Sequence, residues 1–352
     1  MSIPENPEPP DASPPLLAPK KRFPVAITVA VVFALLLVGG AVAVTQYIRW
    51  AKLPAGVTGT PTRVTVPTGA TVESVARKLD DSRLIRDARV FAMSAKGVAI
   101  RPGIYDIAPT ESVARIISRL EKGDVVTVRV TVPEGFTVRQ IAKRLAKNEL
   151  CDEAAFYALV TERGNTLTAP FQPPTNLEGY LFPDTYRFPL GETETQIAQR
   201  MLSGFGAVFA ERYADEIRRS GRSVSELVIV ASMVEREART AGDRPLIAGV
   251  IYNRLGIGMR LQIDATVQYA RGEHKERLLY KDLEIESPYN TYRVAGLPPG
   301  PICCPGAAAL EAALRPARHN FLFYVARTDG SHVFGKTLAD HNRNIAAVRR
   351  SR

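Results

Sequence analysis

The chain is poor in the residues that most often build redox and metal centres. Three cysteines, four histidines and a single tryptophan are spread over 352 residues. Cys303 and Cys304 are adjacent and badly placed for an ordinary bridge to each other, and Cys151 is remote, so no disulfide framework is expected. No Cys/His spacing suits zinc, so neither a metal nor another cofactor is expected. Lys and Arg outnumber Asp and Glu by 46 to 36. That excess suits either a soluble basic surface or attraction to an anionic membrane or acidic polymer. The charge is not gathered into a patch, which sets nucleic acid aside as a partner.

Long apolar runs are scarce as well, with one exception. Residues 23–45 form an uncharged stretch of 23, long enough to span a hydrocarbon core. Lys20, Lys21 and Arg22 precede it and orient the N terminus inward. Ala41-Val42-Ala43 offers a small-x-small cleavage match, but the run before it exceeds an ordinary signal-peptide core. The expectation is a cytoplasmic tail over 1–22, rich in proline, then a single-pass transmembrane helix over 23–45. The rest of the chain would lie on the extracytoplasmic, periplasmic side of the cytoplasmic (inner) membrane.

Beyond the span the chain repeats itself. Arg63-Val64-Thr65-Val66-Pro67-Thr68-Gly69 recurs as Arg129-Val130-Thr131-Val132-Pro133-Glu134-Gly135, and each copy continues into an amphipathic helix. The first copy adds a second helix over 87–95 and a strand near 104–107, giving a βααβ order within 46–125, with a helix over 112–122 beside it. Residues 126–352 read as a mixed, mostly helical domain with helices at 193–209, 224–238, 243–255 and 306–314. A hairpin joins 321–326 to 331–334 across Thr328-Asp329-Gly330. The fold class is α+β.

The best candidate for chemistry is Ala231-Ser232-Met233-Val234-Glu235-Arg236-Glu237-Ala238, which closes one of the most apolar helices. Ser223 and Glu226 form a capping-box pattern at its start. Glu237 follows Val234 and Met233 by three and four residues and so belongs to the inward stripe. A carboxyl held against apolar surface resists ionisation and can donate a proton near neutral pH. Glu235 lies nearer Ala231 and Val228 and remains the alternative. Both acids could instead simply end a core helix.

Around this helix stand Leu177-Glu178-Gly179-Tyr180-Leu181-Phe182-Pro183-Asp184, Tyr252-Asn253-Arg254-Leu255, Leu261-Gln262-Ile263-Asp264-Ala265-Thr266, Tyr289-Asn290-Thr291-Tyr292, Gly296-Leu297-Pro298-Pro299-Gly300-Pro301 and His341-Asn342. The ordered set resembles the YceG-like family of membrane-anchored endolytic murein transglycosylases over roughly residues 60 to 345. Cys304-Pro305-Gly306 stands where that family commonly has Asn-Pro-Gly. The resemblance implies cleavage of peptidoglycan glycan strands between N-acetylmuramic acid and N-acetylglucosamine with one catalytic glutamate, aligned on Glu237. It also implies a LysM-like character for the βααβ segment and association with peptidoglycan synthases. Glu178, Gln262, Asp264, Asn290 and Tyr292 are expected along the cleft, gripping sugar hydroxyls and amides. Plain alternatives stand beside three of them: a Glu178–Arg187 ion pair, helix capping by Asp264 and turn stabilisation by Asn290. His332 and His341 are expected to be structural. The reading from another class is a non-catalytic wall-binding scaffold.

Overall fold

The computed structural model describes residues 25–272, 275 and 278–350, so the tail, Phe23 and Pro24 fall outside it. The chain divides into two compact units. Among the described residues, one comprises 25–64 with 69–100 and 107–122; the other comprises 65–68, 101–106 and those from 123 onward.

The first unit begins with α1 (Val25–Ala51), 27 residues long and apolar enough to cross a membrane. In chain order, strand β1 (Thr62–Val66), helices α2 (Val72–Asp81) and α3 (Ala88–Ser94), strand β2 (Gly103–Ile107) and helix α4 (Val113–Lys122) follow, with residues 65–66 of β1 and 103–106 of β2 counted in the second unit. This is the expected βααβ order, with β1 paired to β2. Val75, Leu79, Phe91, Ile116 and Leu120 form its buried interior. The exit of α1 is tied down within this unit, because Tyr47 donates a hydrogen bond to Asp87 at 2.6 Å. The Arg86 guanidinium also lies 4.7 Å above the Trp50 ring.

The internal repeat is visible in backbone geometry. Gly69 and Gly135 both sit at φ +77°, a left-handed turn that glycine adopts without strain. Thr71 and Thr137 then cap the following helices, each accepting from a backbone N–H three residues on.

The second unit opens with β3 (Thr127–Thr131), α5 (Val138–Lys147) and α6 (Glu153–Glu162). Strand β4 (Thr185–Pro189) pairs antiparallel with β3, setting Val130 opposite Tyr186. Next come α7 (Glu194–Phe205), α8 (Ala214–Ser220), α9 (Val224–Glu237), α10 (Asp243–Gly256), α11 (Asp264–Arg271) and α12 (Ala307–Leu314). Strands β5 (Phe323–Ala326) and β6 (His332–Gly335) form the expected antiparallel hairpin, and α13 (Leu338–Arg350) ends the unit. The single helix expected over 193–209 is instead α7 followed by a wider π turn over Gly206–Glu211. Glycines at 204 and 206 carry little helical preference and permit the extra residue in that turn.

Helix α9 is the centre of this unit. All eight residues from Leu227 to Val234 are buried, and α9 packs on α12, α10 and α11. Its capping box forms as the sequence pattern implies, with Ser223 and Glu226 bonding each other's backbone N–H. The helix stops at Glu237 because Ala238 turns to an extended conformation, φ −78° and ψ 124°.

Candidate active site

The two acids at the end of α9 go to different places. Glu235 accepts a hydrogen bond from Gly306 N–H at 3.1 Å, the residue that precedes α12. Burial raises its pKa, and that donated bond opposes the rise. Glu237 turns into a cleft of about 340 Å³ lined by Arg254, Gln262, Asp264, Tyr292, Tyr324 and His341 among others. Its pKa is pushed up to about 7, first by burial and next by the nearby Asp264 carboxylate. Against that rise work the Tyr324 hydroxyl, which donates to Oε2 at 3.3 Å, and the Ala265 N–H. The outcome is a carboxyl that is shared between protonated and ionised forms near neutral pH.

Three of the residues expected along the cleft line it beside Glu237. Gln262 and Asp264 are exposed, and Tyr292 is half-buried with its hydroxyl donating to Asp264 Oδ1 at 2.5 Å. Asp264 opens α11 without capping it. Gln262 holds φ +51°, a left-handed conformation uncommon for a side-chain-bearing residue. Its N–H is secured by Thr291 O at 3.1 Å, so the local strain is maintained by surrounding structure.

Two expected cleft residues are elsewhere. Glu178 is 3% exposed and accepts from Val138 N–H at 3.1 Å and Tyr269 O–H at 3.2 Å. Desolvation lifts its pKa to about 8, and it forms no ion pair with Arg187. Asn290 is fully buried. Its Nδ2 donates to Leu283 O at 2.8 Å and Ile285 O at 2.9 Å, while Oδ1 accepts from Tyr292 N–H at 3.0 Å. Both side chains bond inward to protein partners and do not line this cleft. For Asn290 this is the turn-stabilising alternative.

Arg254 and Tyr324 were not singled out by sequence reasoning. Arg254, 8% exposed, donates to Leu322 O and Leu261 O, each at 2.6 Å, and to Arg260 O at 3.3 Å. One guanidinium thus joins the loop bearing Gln262 to the strand bearing Tyr324. His341 lines the cleft with a buried Nδ1 that has no hydrogen-bond partner among the described residues. His332 is the structural one: Asp243 Oδ2 lies 2.9 Å from both its backbone nitrogen and its Nδ1. The one signal that could have found Tyr324 is its place on the hairpin strand after the Arg254 segment, a weak one.

The loop 302–304 is fixed to α9 through Ser232, whose Oγ accepts from Ile302 N–H at 3.0 Å. Cys304 exchanges backbone hydrogen bonds with 135–136, at 2.9 and 2.8 Å. The three thiols are free. No cluster of potential metal ligands occurs among the described residues.

Comparison with known proteins points the same way. Residues 64–347 match the model of the YceG-like family. An endolytic murein transglycosylase of Bacillus subtilis strain 168 is 37% identical over 304 residues, covering 81% of this chain and 84% of that protein. One from Streptococcus pneumoniae D39 is 30% identical over 350 residues, covering 90% of this chain and 63% of the other. The crystal structure of a YceG-like protein from Listeria monocytogenes superposes with a TM-score of 0.56 at 34% identity, covering 81% of this chain and 99% of that one. The chain belongs to the YceG-like family.

Proposed function

We propose that this protein is a lytic transglycosylase that cuts peptidoglycan glycan strands internally, between N-acetylmuramic acid and N-acetylglucosamine. The observation that carries the reading is Glu237: a carboxyl with its pKa raised to about 7, aimed into a polar cleft. Its relatives bear the name of this activity. Glu237 protonates the glycosidic oxygen as the bond to C1 breaks. It then takes the proton from the muramic acid's own C6 hydroxyl as that oxygen closes on C1, leaving a 1,6-anhydro end. Because the nucleophile is already on the sugar, proximity replaces the second carboxylate that hydrolysis requires. Tyr324 holds the carboxyl through Oε2. Gln262, Asp264 and Tyr292 grip sugar hydroxyls and the N-acetyl group.

A second reading comes from Asp264, close enough to raise the Glu237 pKa: as a second acid it would make the enzyme a hydrolase. Glu235 does not fill that role, since it turns to Gly306. In the leading reading α1 anchors the enzyme in the cytoplasmic membrane with its catalytic unit outside, beside newly made strands whose length it limits. The βααβ segment holds glycan as a LysM-like module, and peptidoglycan synthases are the partners.

Mass spectrometry of uncrosslinked glycan strands treated with the full-length protein in detergent tests this reading. Internal fragments with 1,6-anhydro ends, lost with Glu237→Gln, are expected. Reducing ends lost with Asp264→Asn would make it a hydrolase. Intact strands that stay bound would leave only a scaffold.

A further inference from the structure

The unit that holds the cleft also holds a second, larger cavity, about 960 Å³ against about 340 Å³. Both cavities share helix α10, whose Arg254 lines the cleft while Gly249, Tyr252 and Asn253 line the second cavity. The remaining walls are α8 with the following Arg222, and the segment 314–320. Four arginines line it, Arg219, Arg222, Arg315 and Arg318, together with His319 and a single acid, Glu216. That acid is already engaged, because Arg315 holds both its oxygens at 2.6 and 2.8 Å. Among the described residues, Arg219, Arg222 and Arg318 have no carboxylate within ion-pair distance. The Arg222 guanidinium lies 3.9 Å over the Tyr252 ring, which fixes its plane and leaves its N–H edge free.

The walls are rigid. A Cβ on Gly249 would fall 2.5 Å from His319 Nε2 and 2.6 Å from Ala317 O, so the segment presses on α10 at a point that admits only glycine. Asn253 Nδ2 donates to His319 O at 2.8 Å and Phe321 O at 3.0 Å, and Ala317 N–H donates to Pro245 O at 3.0 Å. Arg219 feels the nearby Glu216 and Arg222 the nearby Glu226, yet neither is held in a direct ion pair. Three guanidiniums with open N–H edges along one concavity match the fork geometry of carboxylate and phosphate oxygens.

We propose that this cavity is an oxyanion-binding subsite. Two sources of that chemistry fit: carboxylates of the peptide stems carried by the glycan strand, or phosphate groups of a neighbouring anionic polymer or lipid. The first source rests on the proposed substrate. Both cavities border α10, and a stem of a few residues extends about 3.3 Å per residue.

Titration calorimetry on the full-length protein in uncharged detergent tests the subsite with two probes, inorganic pyrophosphate and N-acetylmuramyl pentapeptide. Arg219→Ala/Arg318→Ala removes two exposed arginines, and Lys143→Ala/Lys147→Ala removes equal charge from α5. At least one probe should bind wild type and the lysine variant alike. It should bind the arginine variant at least about tenfold more weakly, since two charge-assisted hydrogen bonds are lost. Binding of pyrophosphate alone assigns a phosphate source, and binding of the pentapeptide assigns the strand. If neither probe binds at millimolar concentration, or if the arginine variant loses no more than the lysine variant, the subsite does not exist. Binding is read without turnover, so a failed cleavage assay and a failed titration remain separate results.

Discussion

Glu178→Gln should make the protein more stable at neutral and alkaline pH while leaving it almost unchanged in acid. Glu178 is buried, and its pKa is lifted from 4.5 to about 8. Below pH 4.5 the carboxyl is protonated whether the chain is folded or unfolded, so it costs nothing. As pH rises toward 8 the unfolded chain ionises and the folded one does not, and stability falls by about 1.4 kcal/mol for each pH unit. Above 8 both states are ionised and the whole penalty is in place, on the order of 5 kcal/mol. Glutamine keeps an oxygen for the Val138 N–H and can donate to the Tyr269 hydroxyl, so the bonds survive while the titration disappears. Urea unfolding of the full-length protein in detergent at several pH values from 4.5 to 8.5 measures the difference between variant and wild type. That difference should be near zero at the acid end and grow to several kcal/mol. Parallel curves, or a gap that widens toward acid, would refute the burial argument.

Tyr324→Phe removes a donor that favours the Glu237 carboxylate, so the Glu237 pKa should rise. A hydrogen bond of this length is worth on the order of 1 kcal/mol, which moves the high-pH limb of kcat/KM upward by somewhat under one pH unit; a downward move would refute the assignment. Glu235→Ala strands the Gly306 N–H before α12 and should cost on the order of 1 kcal/mol in urea unfolding. Its reaction products should be unchanged, and abolished cleavage would transfer the acid role to Glu235. Gly179→Ala should be severely destabilising, because Gly179 sits at φ +88° and an added Cβ would lie 2.6 Å from Pro301 and 2.7 Å from Val228. The cost should exceed about 2 kcal/mol, and a Tm within a degree or two of wild type would contradict it.

What was legible beforehand depended on interactions short in sequence. The apolar stripe of α9 and the three- and four-residue spacing of Glu237 are local, as are the capping box and the repeated glycine turn, and each appears in the structure. Glu178 and Asn290 misled because a short polar motif looks alike whether it faces solvent or bonds inward; their partners, Val138, Tyr269 and Leu283, are set by tertiary packing. Tyr324 meets Glu237 across 87 positions, and Arg254 meets Leu322 across 68. No periodicity records such pairings. The π turn after α7 escaped because glycine lowers helical preference without dictating which irregular turn replaces the helix.

Glu237 is the last residue of its helix, and the N–H of Ala265, in the first turn of another, favours its ionised form. The carboxyl end of α9 carries partial negative charge and favours the neutral acid, whereas the amino end of α11 carries partial positive charge and favours the anion. The side chain therefore sits where two macrodipoles of opposite sense meet. A group that must give up a proton and recover one within a single turnover needs both of its states close in free energy. Here the opposed ends of two backbone helices help to level them, so the capacity to work in both directions resides partly in the scaffold and would outlast substitution of any one neighbouring side chain.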